Sequence, residues 1–139
     1  MPGESTVREM RLVVTATDYA EAVHFYRDVL GLPERAAYSS PDGQVVILEA
    51  GRATLEIADP AQAAFIDRVE VGRRVAGHIR VAFEVADSRE TARRLTASGA
   101  TLLADATPTP WQTLNARLEA PAGLQLTLFS DATTAPPEG

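Results

Sequence analysis

Three side chains in GHIRVAFEVAD (77–87) could do chemistry together. His78, Arg80 and Glu84 share one parity of the run, and Ile79, Val81, Phe83 and Val85 take the other. An extended segment would turn a base, a cation and an acid to one face and an apolar stripe to a core. Imidazole and carboxylate suit a divalent metal, a carboxylate suits general base work, and a guanidinium suits an electron-rich oxygen. A strand face exposed to water would show the same pattern. The chain has no cysteine, which excludes disulfides, thiolate nucleophiles and Cys-ligated metal centres. It has only two histidines, so a multi-histidine site would need both His24 and His78.

The elements that position these residues form a weak internal repeat. RLVVTATDYAEAVHFYRDVLGL (11–32) and RVAFEVADSRETARRLTASGA (80–100) each begin with an alternating run at an arginine, Arg11 or Arg80. Each then reaches an aspartate suited to cap a helix, Asp18 or Asp87. Each helix ends at a glycine suited to close it, Gly31 or Gly99. In the first helix Ala22, Val23, Tyr26, Val29 and Leu30 make an apolar stripe, with His24 on the outer face. Phe25 and Tyr26 read as helix-packing residues. Ala92 and Leu95 are the clearest inward residues of the second helix.

Three strand-like runs follow each helix, at 34–40, 44–50 and 53–58, then at 101–106, 113–119 and 124–130. The order is βαβββ twice, an α+β chain. The expected division is 1–59, a connector at 60–77, 78–130, and a flexible tail at 131–139. Pro60 is expected to start a short helix in the connector. Asp67 and Glu70 there read as ordinary surface charges, and Arg73 and Arg74 as solvated.

Alternation in the first and last strand of each half separates two faces. One takes Leu12, Val14, Ala16, Leu55, Ile57, Val81, Phe83, Val85, Leu124, Leu126 and Leu128. The other takes Arg11, Val13, Thr15, Thr54, Glu56, Arg80, Ala82, Glu84, Gln125, Thr127 and Phe129. The first set must pack under the helices, and the second presents mixed polarity elsewhere.

The 139 residues suit one compact domain or two tightly packed half-size units, with 45% hydrophobic residues. No apolar run approaches the ~18 residues of a membrane span, and MPGESTVREM lacks a signal-peptide pattern. The expected location is the cytoplasm, with no membrane partner. A net charge of −6 opposes nucleic-acid binding.

Three stretches carry a family resemblance: TDYAEAVHFYRDVLGLPE (17–34), VAFEVAD (81–87) and WQTLNARLEAPAGLQLTLF (111–129). With them the chain resembles the vicinal oxygen chelate superfamily of glyoxalases, extradiol dioxygenases and bleomycin-resistance proteins. The resemblance implies two βαβββ modules whose curled mixed sheets enclose a ligand cavity lined by the mixed face. It also implies four metal-ligand places, which fall here on Arg11, Glu56, Arg80 and Thr127. Arginine stays protonated and repels a cation, threonine is a poor ligand, and only Glu56 suits a metal. The expectation is therefore no metal and no cofactor. A displaced site on His78 and Glu56 is the competing reading.

Arg11 and Arg80 read either as cavity cations for a ligand or as partners of Glu56 and Glu84 across the sheet. Trp111, behind two prolines in TPTPWQTLN, reads as a wall for a flat ligand or as cover for the sheet end. Tyr38, Asn115 and Phe129 are further candidates. The expected ligand-binding set is Arg11, Val13, Tyr38, Glu56, Arg80, Trp111, Asn115, Thr127 and Phe129, with no catalytic residue assigned. The function expected from the resemblance is sequestration of an aromatic natural product or antibiotic by a homodimer. The alternative is a metal-independent isomerase, lyase or cyclase with Glu56 as base and the two arginines stabilising an oxyanion.

Overall fold

A computed structural model describes residues 11–132 apart from positions 13, 15, 54, 55, 57 and 58. Helix α1 (Tyr19–Val23) runs into a π-helical turn (His24–Val29), followed by strands β1 (Glu34–Ser40) and β2 (Gly43–Leu48). Helix α2 (Pro60–Glu70) occupies the connector. Then come β3 (Val81–Glu84), α3 (Ser88–Ala97), β4 (Thr101–Pro108), β5 (Thr113–Ala120) and β6 (Leu124–Asp131).

The helix ends follow local chemistry. Asp18, Asp59 and Asp87 each accept a hydrogen bond from the backbone N–H three residues on, at 3.0, 2.8 and 3.1 Å. Each carboxylate satisfies one of the amides that a helix start leaves unpaired. At the end of α3, Ala100 N–H reaches Leu95 C=O and Gly99 N–H reaches Thr96 C=O, with Gly99 at φ +116°. That is a Schellman closure, and the left-handed position suits glycine. The π turn sets Leu30 N–H on Phe25 C=O. Pro60 sits in the first turn of α2, where its missing N–H costs nothing.

The second half realises the βαβββ order in full. Its four strands lie in the order β3-β6-β5-β4, with β3 parallel to β6 and the other pairs antiparallel. Leu118, Leu126 and Leu128 are fully buried with Ala92 and Leu95 of α3, and Val81, Phe83 and Val85 pack against that cluster. Phe25 joins the same core, and Tyr26 O–H donates to Pro121 C=O at 2.8 Å. The first helical segment and α3 thus share the apolar face of one sheet.

The first half differs from its expected pattern. Its helix and the β1–β2 hairpin are present, but the described residues of 11–16 and 53–58 form no strand. Leu12 and Val14, expected inward, are 51% and 37% exposed. Leu55 and Ile57 of the expected apolar face, and Val13, Thr15 and Thr54 of the other, lie outside the described residues. In the second half β3 starts at Val81, one residue after Arg80, so Ile79 is exposed rather than inward. Alternation assigns a face only where a neighbouring strand closes the ladder, and β6 begins to pair with β3 at Val81. At the far end β6 continues through Asp131, and Ala132 N–H donates to Gln112 C=O.

Candidate functional site

The opposite face of the four-stranded sheet is polar. Pairing of Arg117 with Thr127, Asn115 with Phe129 and Ala82 with Thr127 puts these residues, with Gln125 and Glu84, on one side. Helix α2 lies against β4 and β5 on this side. Its buried or half-buried residues Ala63, Ile66, Asp67 and Glu70 recur at helical spacing. The two acidic residues therefore belong to the inward stripe.

Asp67 and Glu70 are buried, not surface charges, and Arg117 is the reason. The Arg117 guanidinium is fully buried, donating to Asp67 Oδ1 at 2.8 Å, to Glu70 Oε1 at 2.8 and 3.2 Å, and to Gln125 Oε1 at 2.7 Å. The other oxygen of Asp67 accepts from Arg74 at 2.7 Å and from the Val75 and Ala76 N–H groups at 2.9 Å. Arg74, expected to be solvated, is thus half-exposed and paired with Asp67. Burial alone would raise the Asp67 pKa. The Ala76 and Val75 amides, with Arg117 and Arg74, outweigh it and hold the carboxyl well below the usual carboxylate range. A buried charge is tolerated when it is paired and hydrogen-bonded in this way.

Glu70 connects this cluster to the expected site residues. Asn115 Nδ2 donates to Glu70 Oε2 at 2.7 Å, and Thr127 Oγ1 makes a long 3.5 Å contact to Oε1. Arg80 donates to Thr127 Oγ1 at 2.6 Å. Asn115 Oδ1 is sealed from solvent without a hydrogen-bond partner. Arg80 is half-buried, and its pKa is lowered by that burial and by repulsion from Arg117. Glu70, Asp67 and Glu56 attract it through space, in that order of strength. Arg80 thus bonds to a hydroxyl rather than pairing directly with Glu56 or Glu84.

Of the nine expected residues, Arg80, Asn115 and Thr127 meet around Glu70, and half-buried Phe129 shares their face. Arg11 and Glu56 are exposed, and Tyr38 is exposed on the β1–β2 hairpin. Val13 lies outside the described residues. Trp111, 41% exposed, sits with its ring centroid 6.3 Å from that of Phe65 on α2. Sequence reading takes Asp67 and Glu70 for surface charges, leaves Arg117 unassigned, and puts Gln125 on the mixed face without making it a site candidate. The β5 run TLNARLEA alternates Thr113, Asn115, Arg117 and Glu119 against Leu114, Ala116, Leu118 and Ala120, and that parity was the available signal.

The donor set does not fit the metal that the superfamily's enzymes hold. A guanidinium stands at one ligand place and donates to the hydroxyl at another. His78 is exposed, and among the described residues no three His, Asp or Glu side chains are grouped to hold an ion.

The mixed α+β architecture, with its two sheets, is that of the glyoxalase superfamily fold. The chain belongs to the glyoxalase-like domain family, whose sequence model matches residues 11–129. Solved structures of the glyoxalase/bleomycin resistance/dioxygenase superfamily share its fold. The antibiotic-binding protein TnmS3 from Streptomyces sp. CB03234 is 19% identical, with 92% of this chain and 99% of that one covered and a TM-score of 0.60. A glyoxalase-related enzyme from Fulvimarina pelagi is 17% identical, covering 90% and 89%, with a TM-score of 0.55. A superfamily member from Sphaerobacter thermophilus DSM 20745 is 21% identical, covering 86% and 92%, with a TM-score of 0.56. No curated protein matches the chain. Among the described residues no helix is long and apolar enough to cross a membrane.

Proposed function

We propose that the protein binds and sequesters a small aromatic molecule, an antibiotic or related natural product, without a metal. The observation that carries this reading is the Arg80–Thr127 hydrogen bond, which joins two of the superfamily's metal-ligand places through a cation. Sequestration needs shape and a few polar anchors, which a half-buried guanidinium, an aromatic side chain and an apolar strand edge can supply. The antibiotic-binding relative has the same fold and supports the reading. The same proposal includes a homodimer in the cytoplasm, because a second copy would cover apolar side chains such as Leu12, Val14 and Ile79 that the single chain leaves exposed.

A thermal-shift screen against aromatic antibiotics, run with and without divalent cations, tests the function. A ligand at about 100 times its Kd should add about 2.7 kcal/mol of stability. Stabilisation by a drug in metal-free buffer is the expected result. Stabilisation that requires a divalent cation would overturn the metal-free reading.

A further inference from the structure

The polar face is unevenly covered. Helix α2 lies against β4 and β5, and its carboxylates are spent on Arg117, Arg74, Asn115 and backbone amides. Among the described residues β3 is an outer strand of its sheet, with Ala82 and Glu84 exposed on the same face as Arg80. Half-buried Phe129 lies opposite Glu84 on the neighbouring strand. The short Ala82 side chain leaves a shelf between Arg80 and Glu84. In extended chain those two residues stand roughly 13 Å apart, about the length of a two- or three-ring aromatic system.

The charges on this shelf are graded. Arg117 and Arg74 each have a carboxylate at 2.8 Å or less. The direct partner of Arg80 among the described residues is the Thr127 hydroxyl. A guanidinium has five N–H donors in a planar fork, so most of those of Arg80 remain for another acceptor. The charged groups that face it are Arg117 from β5, Glu70 and Asp67 from α2, and, most weakly, exposed Glu56. Glu84 sits at the other end of the shelf and repels an anion there. The net charge of −6 is spread over the whole chain and screened over about 8 Å in physiological salt, so the near cation decides.

We propose that Arg80 anchors an anion subsite at the β3 edge. It takes the carboxylate or phenolate oxygen of a flat aromatic ligand whose rings lie over Ala82 beside Phe129. The subsite rests on the small-molecule-binding function above and narrows it to ligands that are anionic at one end and uncharged at the other. Glu84 fixes the direction, because only one orientation brings the anion to Arg80.

Two probes of equal shape test it: anthraquinone-2-carboxylate and anthraquinone-2-carboxamide, titrated calorimetrically against the full chain at low salt. A charge-assisted pair should favour the carboxylate by about tenfold or more. The preference should shrink as salt is raised. Arg80→Gln should abolish the preference by lowering carboxylate affinity about tenfold or more, and Glu84→Gln should tighten carboxylate binding a few-fold. Circular dichroism establishes that both variants fold, and the wild-type comparison stands without them. Equal affinity for the two probes overturns the anion subsite and leaves the binding function standing, as does a preference that survives Arg80→Gln. Failure of both probes to bind at millimolar concentration overturns the subsite, and the aromatic-binding reading falls separately if the thermal-shift screen also finds no ligand.

Discussion

Leu118 and Arg117 are adjacent in β5, both fully buried, and on opposite faces of one sheet. Leu118 lies in one buried apolar cluster with Leu126, Leu128, Leu95 and Phe25, the non-directional packing that most cores use. Arg117 is buried under α2 by four charged or polar acceptor contacts at 2.7–3.2 Å. The apolar face tolerates approximate shapes, because the driving force follows area. The polar face depends on each partner, because a buried charge without its counter-charge has nowhere to go. One sheet is thus held on one side by packing and on the other by an ionic lock.

Breaking each face separately should show the difference most strongly. Arg117→Ala removes the cation that two buried carboxylates share and should cost about 3–5 kcal/mol of unfolding free energy. Leu118→Ala should cost about 2–5 kcal/mol, from lost transfer energy and a cavity. Urea denaturation measures both. The distinguishing result is a second substitution. Adding Asp67→Asn and Glu70→Gln to Arg117→Ala should recover part of the loss, whereas no polar change on α2 should rescue Leu118→Ala. If the triple variant is no more stable than Arg117→Ala, the lock is not what holds α2 in place.

Acid should attack only the polar face. The Asp67 carboxyl holds its proton less tightly when folded than when unfolded, so the unfolded chain takes up more protons as pH falls. Its contribution is complete above the ordinary aspartate value of about 3.9 and drains away below it, towards the lower folded value. One such group gives a slope of at most about 1.4 kcal/mol per pH unit. The expected outcome is a steeper loss of stability below about pH 4 in the wild type than in Asp67→Asn, with Leu118→Ala keeping the wild-type slope. Parallel acid slopes in wild type and Asp67→Asn would remove Asp67 from the lock.

The same contrast explains what the sequence made legible. Apolar alternation in 81–85 and 124–128 identifies the buried face directly, since its residues all belong to one chemical class. Caps at Asp18 and Asp87 are legible because their partners lie three residues away. The lock was not, because a carboxylate on a helix takes its meaning from a partner, and that partner is 47 or 50 residues further along the chain. Arg80 and Thr127 are legible by parity and by resemblance and Asn115 only as a further candidate, while the glutamate that joins them reads as surface from sequence alone. In the first half the described residues of 11–16 and 53–58 form no strand, while positions 13, 15, 54, 55, 57 and 58 lie outside the described residues. Alternation names a face without guaranteeing a neighbouring strand to close it, as exposed Ile79 just ahead of β3 shows.

The smallest effect lies where the first helical segment meets the second half. Tyr26 belongs to the apolar face by its ring, which meets Phe25 edge-on at 5.0 Å, but its hydroxyl donates to Pro121 C=O at 2.8 Å. There that face also uses a directed bond across the two halves of the repeat. Tyr26→Phe should therefore cost about 0.5–1.5 kcal/mol, well below Leu118→Ala, because the ring stays packed and one hydrogen bond is lost. Burial pushes the phenol pKa well above its usual value near 10. The unfolded chain releases this proton first, so the contribution is complete below about pH 10 and is lost as pH rises towards the folded value. Alkaline unfolding of the wild type should accordingly start earlier relative to its neutral stability than that of Tyr26→Phe. Identical alkaline profiles would mean that the hydroxyl is solvated and that the two halves are joined by packing alone.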